Sequence, residues 1–354
     1  TPKNYKPITI DFIHMFDETN GWAIANEKRG DYAYRTVLHS QDSGYTWVGM
    51  PGGEDAYLVP PWATSFLDAS TGWTAEYYEF EEDPQSNKVY FLRWFNHSVC
   101  ETKHNPSGSI SSPGLGIDSV LFLDFVDCDH GWFMFNTFAG AGHHVHELYS
   151  SYDGGASWES LIPFTESLCS KTGMDFIDEK YGWITTSCPF DPGSALLERT
   201  EDGGVSWLSI YLPPPASSPD TFKDALYCET SFPTLFSAKS GSLMVRCYFQ
   251  ESTEAFLITT NDSGETWSTK PFPGEVPLFI TQEVGWALGK DIYRTLDGGQ
   301  TWSLMSTVDW EGQFSFVDDQ IGWAVTRLGE ETELVYTNDG GRTWLIIEPI
   351  WAGP

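Results

Sequence analysis

One nine-residue pattern recurs six times along the chain and constrains the fold more than any other feature. It reads RTLDGGQTW at 294–302, with near-copies HSQDSGYTW, SSYDGGASW, RTEDGGVSW, TTNDSGETW and YTNDGGRTW. The shared form is Ser/Thr-x-Asp-x-Gly-x-Thr/Ser-Trp, centred on Asp42, Asp153, Asp202, Asp262, Asp297 and Asp339. Asp and Ser/Thr side chains bond nearby backbone groups and so fix tight turns. Glycine admits a positive φ there, and the tryptophan brings a large apolar body. A catalytic motif has no reason to be repeated six times, whereas a turn that starts a strand does. The six aspartates are therefore expected to be structural.

A second motif alternates with the first. A Gly-Trp pair stands at 21, 72, 131, 182, 285 and 322, each preceded by two apolar residues and usually an Asp, as in Phe125-Val126-Asp127. A degenerate copy, Leu235-Phe236-Ser237 ending on Gly241, fills the one double-length gap. A repeat of roughly fifty residues built from short strands and turns is the signature of a propeller blade. The expected fold is all-β: one seven-bladed β-propeller of four-stranded antiparallel blades over 1–354. Its blades are placed at about 7–53, 54–107, 117–163, 164–215, 220–273, 274–306 and 307–350. Twelve of the sixteen tryptophans fall in the two motifs, so the tryptophan content is no sign of sugar stacking.

The cysteines support this register. Cys169 and Cys188 flank Gly182 at the same offsets as Cys228 and Cys247 flank Gly241. Each pair is symmetric about a hairpin turn, which sets the two cysteines opposite each other at bridging distance. Cys169–Cys188 and Cys228–Cys247 are expected to be disulfides, leaving Cys100–Cys128 as the third. Disulfides imply an oxidising, extracytoplasmic setting. The chain begins at Thr1 rather than Met, from which a removed leader and a secreted, periplasmic or lipid-anchored bacterial protein are expected.

The acidic repeat resembles the Asp box (BNR-like repeat) of bacterial sialidases, xyloglucan-cleaving glycosidases and sortilin-type receptors. Its alternation with Gly-Trp, as in GWALGKDIYRTLDGGQTW at 285–302, resembles the photosystem II stability/assembly-factor propellers and their non-photosynthetic bacterial relatives. The resemblance covers essentially the whole chain, with the second and fifth copies departing from it. It implies a non-enzymatic assembly scaffold that binds a protein partner, with a basic surface patch contributing. Nineteen Lys plus Arg against fifty Asp plus Glu leave little to build such a patch from.

Charge and motifs exclude several classes. A net charge of −31 is unsuited to nucleic acid, whose phosphates need Lys and Arg. No run of eighteen apolar residues is present, so no transmembrane helix is expected. Nucleophile-elbow, Walker and HExxH patterns are absent, and no cofactor is expected. Sialidase chemistry needs three converging arginines and a Tyr nucleophile, and the Arg-Ile-Pro-type segment is missing. The function reading is a binding scaffold that recognises a protein partner on one face. The alternative is a carbohydrate-active enzyme or a lectin-like carbohydrate-binding module.

Three features are candidates for that role. Seven residues before the repeat glycine, six of the seven copies carry a polar residue on the predicted innermost strand: His14, Ser65, Asp124, Asp175, Thr234 and Ser315. This ring either binds a cation or basic group at Asp124 and Asp175 or lines a water-filled channel. His144 and His146, in GHHVHE, share one face of a strand and supply half of a zinc site or an exposed hairpin. The second copy replaces its acidic turn with an aromatic and acidic stretch, in which Tyr77, Tyr78, Phe80 and Trp94 form either a partner patch or core.

Overall fold

The computed structural model describes the chain apart from residues 1–5, 8, 30–31, 50–56, 59–62, 79–87, 96–99, 101–108, 112–119, 140–142, 162–168, 189–194, 330 and 353–354. Its described residues form seven sheets that follow one another in chain order, antiparallel throughout except where the C-terminal strand Ile350–Trp351 runs parallel to Thr46–Gly49. Within each, consecutive strands pair with their sequence neighbours, which is the meander of a propeller blade. The third sheet is representative: Val120–Phe125, Gly131–Ala139, His143–Ser151 and Glu159–Ser160. In six of the sheets the second strand begins on the glycine of Gly-Trp, or of its degenerate copy at Gly241.

The fifth sheet departs from this pattern for a clear reason. Pro233 has no N–H to donate, and the innermost strand is split there into Tyr227–Thr230 and Thr234–Leu235. Ser231 bridges the break, its hydroxyl accepting the Met244 N–H at 2.9 Å. A four-residue helix, Thr221–Asp224, precedes the split strand and buries Phe222.

Two bonds per turn define each hairpin that leads into Gly-Trp. The side chain four residues ahead of the glycine caps the turn: Asp17 Oδ1 accepts from Thr19 and Asn20 at 2.7 Å. Asp127, Asp178 and Asp318 repeat the arrangement. Ser237 and Thr281 do the same with hydroxyls. Burial alone would raise Asp17, but the Thr19 and Asn20 bonds hold it at about 2.

Five of the six acidic turns share one bonding scheme, and the first, at Asp42, differs only in showing no closing hydroxyl bond among the described residues. In the sixth sheet Thr295 Oγ1 donates to Asp297 Oδ1 at 2.8 Å and accepts the Gly299 N–H at 2.9 Å. Thr301 closes the loop with its backbone N–H on Asp297 Oδ1 and its hydroxyl on Oδ2. The Thr301 hydroxyl and backbone bonds bring Asp297 down to about 2. The residue after each of these aspartates donates its N–H back to the hairpin of its own sheet, at 2.7–2.9 Å in all six. The depressed Asp297 carboxylate, like that of Asp17, contributes stability that is present above its ordinary range and is lost as pH falls through about 2.

Neighbouring sheets are joined by the Gly-Trp tryptophans. Trp73 lies on Phe125 at 4.1 Å and 6°, and Trp132 lies on Phe176 at 3.7 Å and 3°. Trp286 lies on Phe316 at 3.7 Å and 13°. Each of these indoles also donates its N–H to the turn of the next sheet: Trp73 to Gly154 O, Trp132 to Gly203 O and Trp286 to Gly340 O, at 2.8–3.1 Å. The preceding glycine makes room for the phenylalanine of its own sheet. A Cβ at Gly182 would stand 2.4 Å from the Phe176 ring.

The ring closes between the last sheet and the first. Trp323 donates to Ser43 O at 3.0 Å, Ser315 Oγ accepts the Met15 N–H at 2.9 Å, and Gln313 makes two bonds to the Ile13 backbone. The C-terminal strand Ile350–Trp351 pairs with Thr46–Gly49 of the first sheet and with Lys6–Pro7. The fold is a β-propeller.

Three disulfides are present, Cys100–Cys128, Cys169–Cys188 and Cys228–Cys247. Cys228 and Cys247 are direct cross-strand partners. Three bridges fit an oxidising, extracytoplasmic compartment. No described helix is long and apolar enough to cross a membrane.

Truncating one joining indole tests this packing. Trp132→Ala removes a fully buried ring and its bond to Gly203, and is expected to lower unfolding free energy by about 3–5 kcal/mol. Denaturant unfolding reads the change, and a loss indistinguishable from that of a surface substitution would contradict the packing.

Candidate functional site

The inner ends of the first strands bring the expected ring residues next to the neighbouring sheet. Ser65 Oγ accepts the Phe125 N–H at 2.9 Å, and Asp124 Oδ2 accepts the Phe176 N–H at 2.8 Å. Asp175 Oδ2 accepts the Leu235 N–H at 2.5 Å, and Ser315 takes the Met15 N–H. In all four, a side chain in one sheet holds the backbone one position along in the next sheet. These bonds clip inner strand to inner strand. The partner is always a backbone N–H, so nothing in the partner's sequence announces it.

His14 and Thr234 stand at the same repeat position without such a clip among the described residues. His14 instead packs edge-on to Phe16 at 4.7 Å and parallel to Phe66 at 6.0 Å. Thr234 pairs with Ser242 across the split strand.

Electrostatics concentrate at Asp124 and Asp175. Burial raises Asp124 to about 6 against the opposing pull of the Phe176 bond. Asp175 is pushed well above the usual carboxylate range, first by burial and then by the charge on Asp124. The two carboxyls thus resist ionising together. Burial pushes His14 the other way, down to about 4. Burial thus favours the protonated form at both carboxyls on these adjacent inner strands.

The remaining candidates fare differently. His146 is 1 % exposed, with Nε2 3.4 Å from the Cys169 carbonyl. The side chain of His144 lies outside the described residues. Among the described residues no group of three or more metal-ligating side chains comes together. Of the aromatic stretch, Phe80 lies outside the described residues. Tyr77, Tyr78 and Trp94 are described only as strand backbone.

Sequence reasoning did not find the two clefts. One, of about 570 Å³, lies between the sixth and seventh sheets, on the face opposite the acidic turns. Val276, Leu288, Trp310 and Phe314 supply apolar walls, with Glu275 and Glu311 among its acidic lining residues. The other, of about 400 Å³, lies between the fifth and sixth sheets on the acidic-turn face. The only sequence signal for it is the missing tryptophan of the fifth copy.

Replacing Asp124 by Asn keeps an oxygen for the Phe176 N–H and removes the charge. The raised carboxyl binds its proton more tightly when folded, so stability falls as pH rises from about 4 through about 6. Asp124→Asn is expected to abolish that part of the fall and to raise the melting temperature above pH 6. Melting curves from pH 4 to 8 measure this, and a variant that tracks the parent's pH dependence would contradict it.

No family model matches the chain, and no curated protein matches it. Solved structures do. A propeller described as YCF48 bound to D1 peptide matches over 94 % of each chain at 16 % identity and TM-score 0.54. The polysaccharide lyase Uly1 matches over 94 % of this chain and 90 % of that one, at 9 % identity and TM-score 0.55. Prolyl oligopeptidase B from Galerina marginata matches over 98 % of this chain and 51 % of that one, at 9 % identity and TM-score 0.60. At these identities the likeness is one of fold, and a peptide-bound propeller, a lyase and a peptidase share it.

Proposed function

We propose that the seven sheets are seven blades and the six acidic turns are Asp boxes of one propeller. The design is that of the photosystem II stability/assembly-factor family and its non-photosynthetic bacterial relatives. In this reading the chain is a non-enzymatic binding scaffold, secreted, periplasmic or lipid-anchored in a bacterium. It recognises a protein partner on one face, by shape and charge and without chemistry.

The observation that carries the reading is the cleft opposite the acidic turns. Its walls offer Trp310 and Val276, the latter 57 % exposed. Its lining also brings Glu275, Asp309 and Glu311 against a single cation, Lys290. Aromatic anchors with a charged rim are the usual makings of a protein-recognition site. The acidic lining and the net charge of −31 select a segment that is basic and apolar. The peptide-bound propeller among the structural neighbours supports this use of the fold. The inner-strand clips favour it as well, because they assign Ser65, Asp124, Asp175 and Ser315 to holding the ring.

Affinity capture from the native host, with wild type beside Trp310→Ala and Glu311→Lys, tests the proposal. A partner held by wild type and lost by at least about tenfold in either variant is expected. A parallel screen of glycans and polysaccharides for binding or cleavage decides the carbohydrate alternative. Turnover of a polysaccharide by the wild type would overturn the proposal.

A further inference from the structure

The junction between the fifth and sixth sheets has every part of the indole joint except the indole. At the repeat position of Trp73, Trp132 and Trp286 the fifth sheet has Ser242. The surroundings are unchanged. Phe279 stands where Phe125, Phe176 and Phe316 stand elsewhere, against its own Gly285. Phe236 and Trp302 meet Phe279 edge-on, at 69° and 75°. Among the described residues no ring lies on its face.

Gly298 follows the acidic-turn aspartate, as Gly154, Gly203 and Gly340 do, and keeps its N–H bond to Glu283 at 2.9 Å. Its carbonyl, the equivalent of the ones that accept an indole, has no donor among the described residues. At the junction before it, where Trp183 makes no such bond, the Arg199 guanidinium occupies the corresponding Ser263 carbonyl. The Gly298 carbonyl is thus the exception among the turns.

The space left is the cleft of about 400 Å³, within the roughly 300–1,000 Å³ of ligand pockets. Phe279, Leu257 and Gly298 line it. Ser242, 2 % exposed, also lines it, its hydroxyl without a partner among the described residues. At the mouth, Gln282 Nε2 donates to Asn261 Oδ1 at 2.6 Å.

We propose that this cleft is a binding slot for an indole ring, supplied by a tryptophan side chain of a partner segment. The ring stacks on Phe279 as Trp286 stacks on Phe316, and its N–H meets the Gly298 carbonyl. The same chain has already built that joint at three other junctions, with Trp73, Trp132 and Trp286, which identifies the occupant more narrowly than an apolar wall does. The flat face of Phe279 selects an aromatic ring, and the half-buried Gly298 carbonyl selects one that carries an N–H. Only the source of the ring rests on the protein-recognition reading. The slot itself does not.

Titration of N-acetyltryptophanamide into the full chain, followed by calorimetry and saturation-transfer NMR, is the test. Saturable binding at one site is expected, weaker by about tenfold for the N-methylindole analogue, which has no proton to donate. Ser242→Trp fills the slot from within and is expected to abolish binding while melting at or above the parent temperature. Ser242→Leu narrows the slot with a smaller side chain and serves if the larger one prevents folding. Absence of saturable binding, or binding unchanged in the folded variant, overturns the proposal. That failure leaves partner capture at Trp310 untouched, and a failed capture leaves the slot untouched, so the two readings fall separately.

Discussion

The structure hangs on one residue per acidic turn, the one that follows the aspartate. Its N–H bonds the hairpin of its own sheet, and at most described junctions its carbonyl takes a donor from the preceding sheet, usually an indole. Trp73 with Gly154 and Trp132 with Gly203 show the joint most plainly. The aspartate and the flanking hydroxyls exist to hold that residue still. The stacked phenylalanine gives the indole a flat bed, and the Gly-Trp glycine of that phenylalanine's own sheet lets the bed lie close. Each sheet is thus a wedge with a ring on one side and a socket on the other. Closing the circle between Trp323 and Ser43 then requires no new chemistry.

Much of this was legible in the chain. Repetition identified the acidic turn as structural, and the glycine of Gly-Trp marked the start of the second strand. Both signals are local, so they survive in one sequence without its neighbours. The inner ring was not legible in the same way. Polar residues at His14, Ser65, Asp124, Asp175, Thr234 and Ser315 looked like the lining of a channel, because their position on the innermost strands is readable. Their partners are not, since a bond from Asp124 to the Phe176 backbone spans fifty-two residues and ends on a group every residue has. What looked like a lining holds, in four of its six members, the strands together.

Two clefts carry the functional argument. Elsewhere the sheets bury their joints completely, with Trp22, Trp73, Trp132, Trp286 and Trp323 all at most 1 % exposed. The fifth copy substitutes Ser242 and leaves a socket that the rest of the chain explains. The loops before the seventh sheet place Trp310 at a cleft with several acidic lining residues. A rigid ring suits such sites, because preorganised walls lose little entropy when a partner binds.

Hydrogen exchange at the indole nitrogens tests the central joint most directly. In the folded protein the Nε1 protons of Trp22, Trp73, Trp132, Trp286 and Trp323 are each bonded across a junction. These five are predicted to exchange only through global unfolding, at a common rate that follows denaturant as unfolding does. Exchange of those protons by local opening, as fast as that of a surface indole and independent of denaturant, would contradict the account.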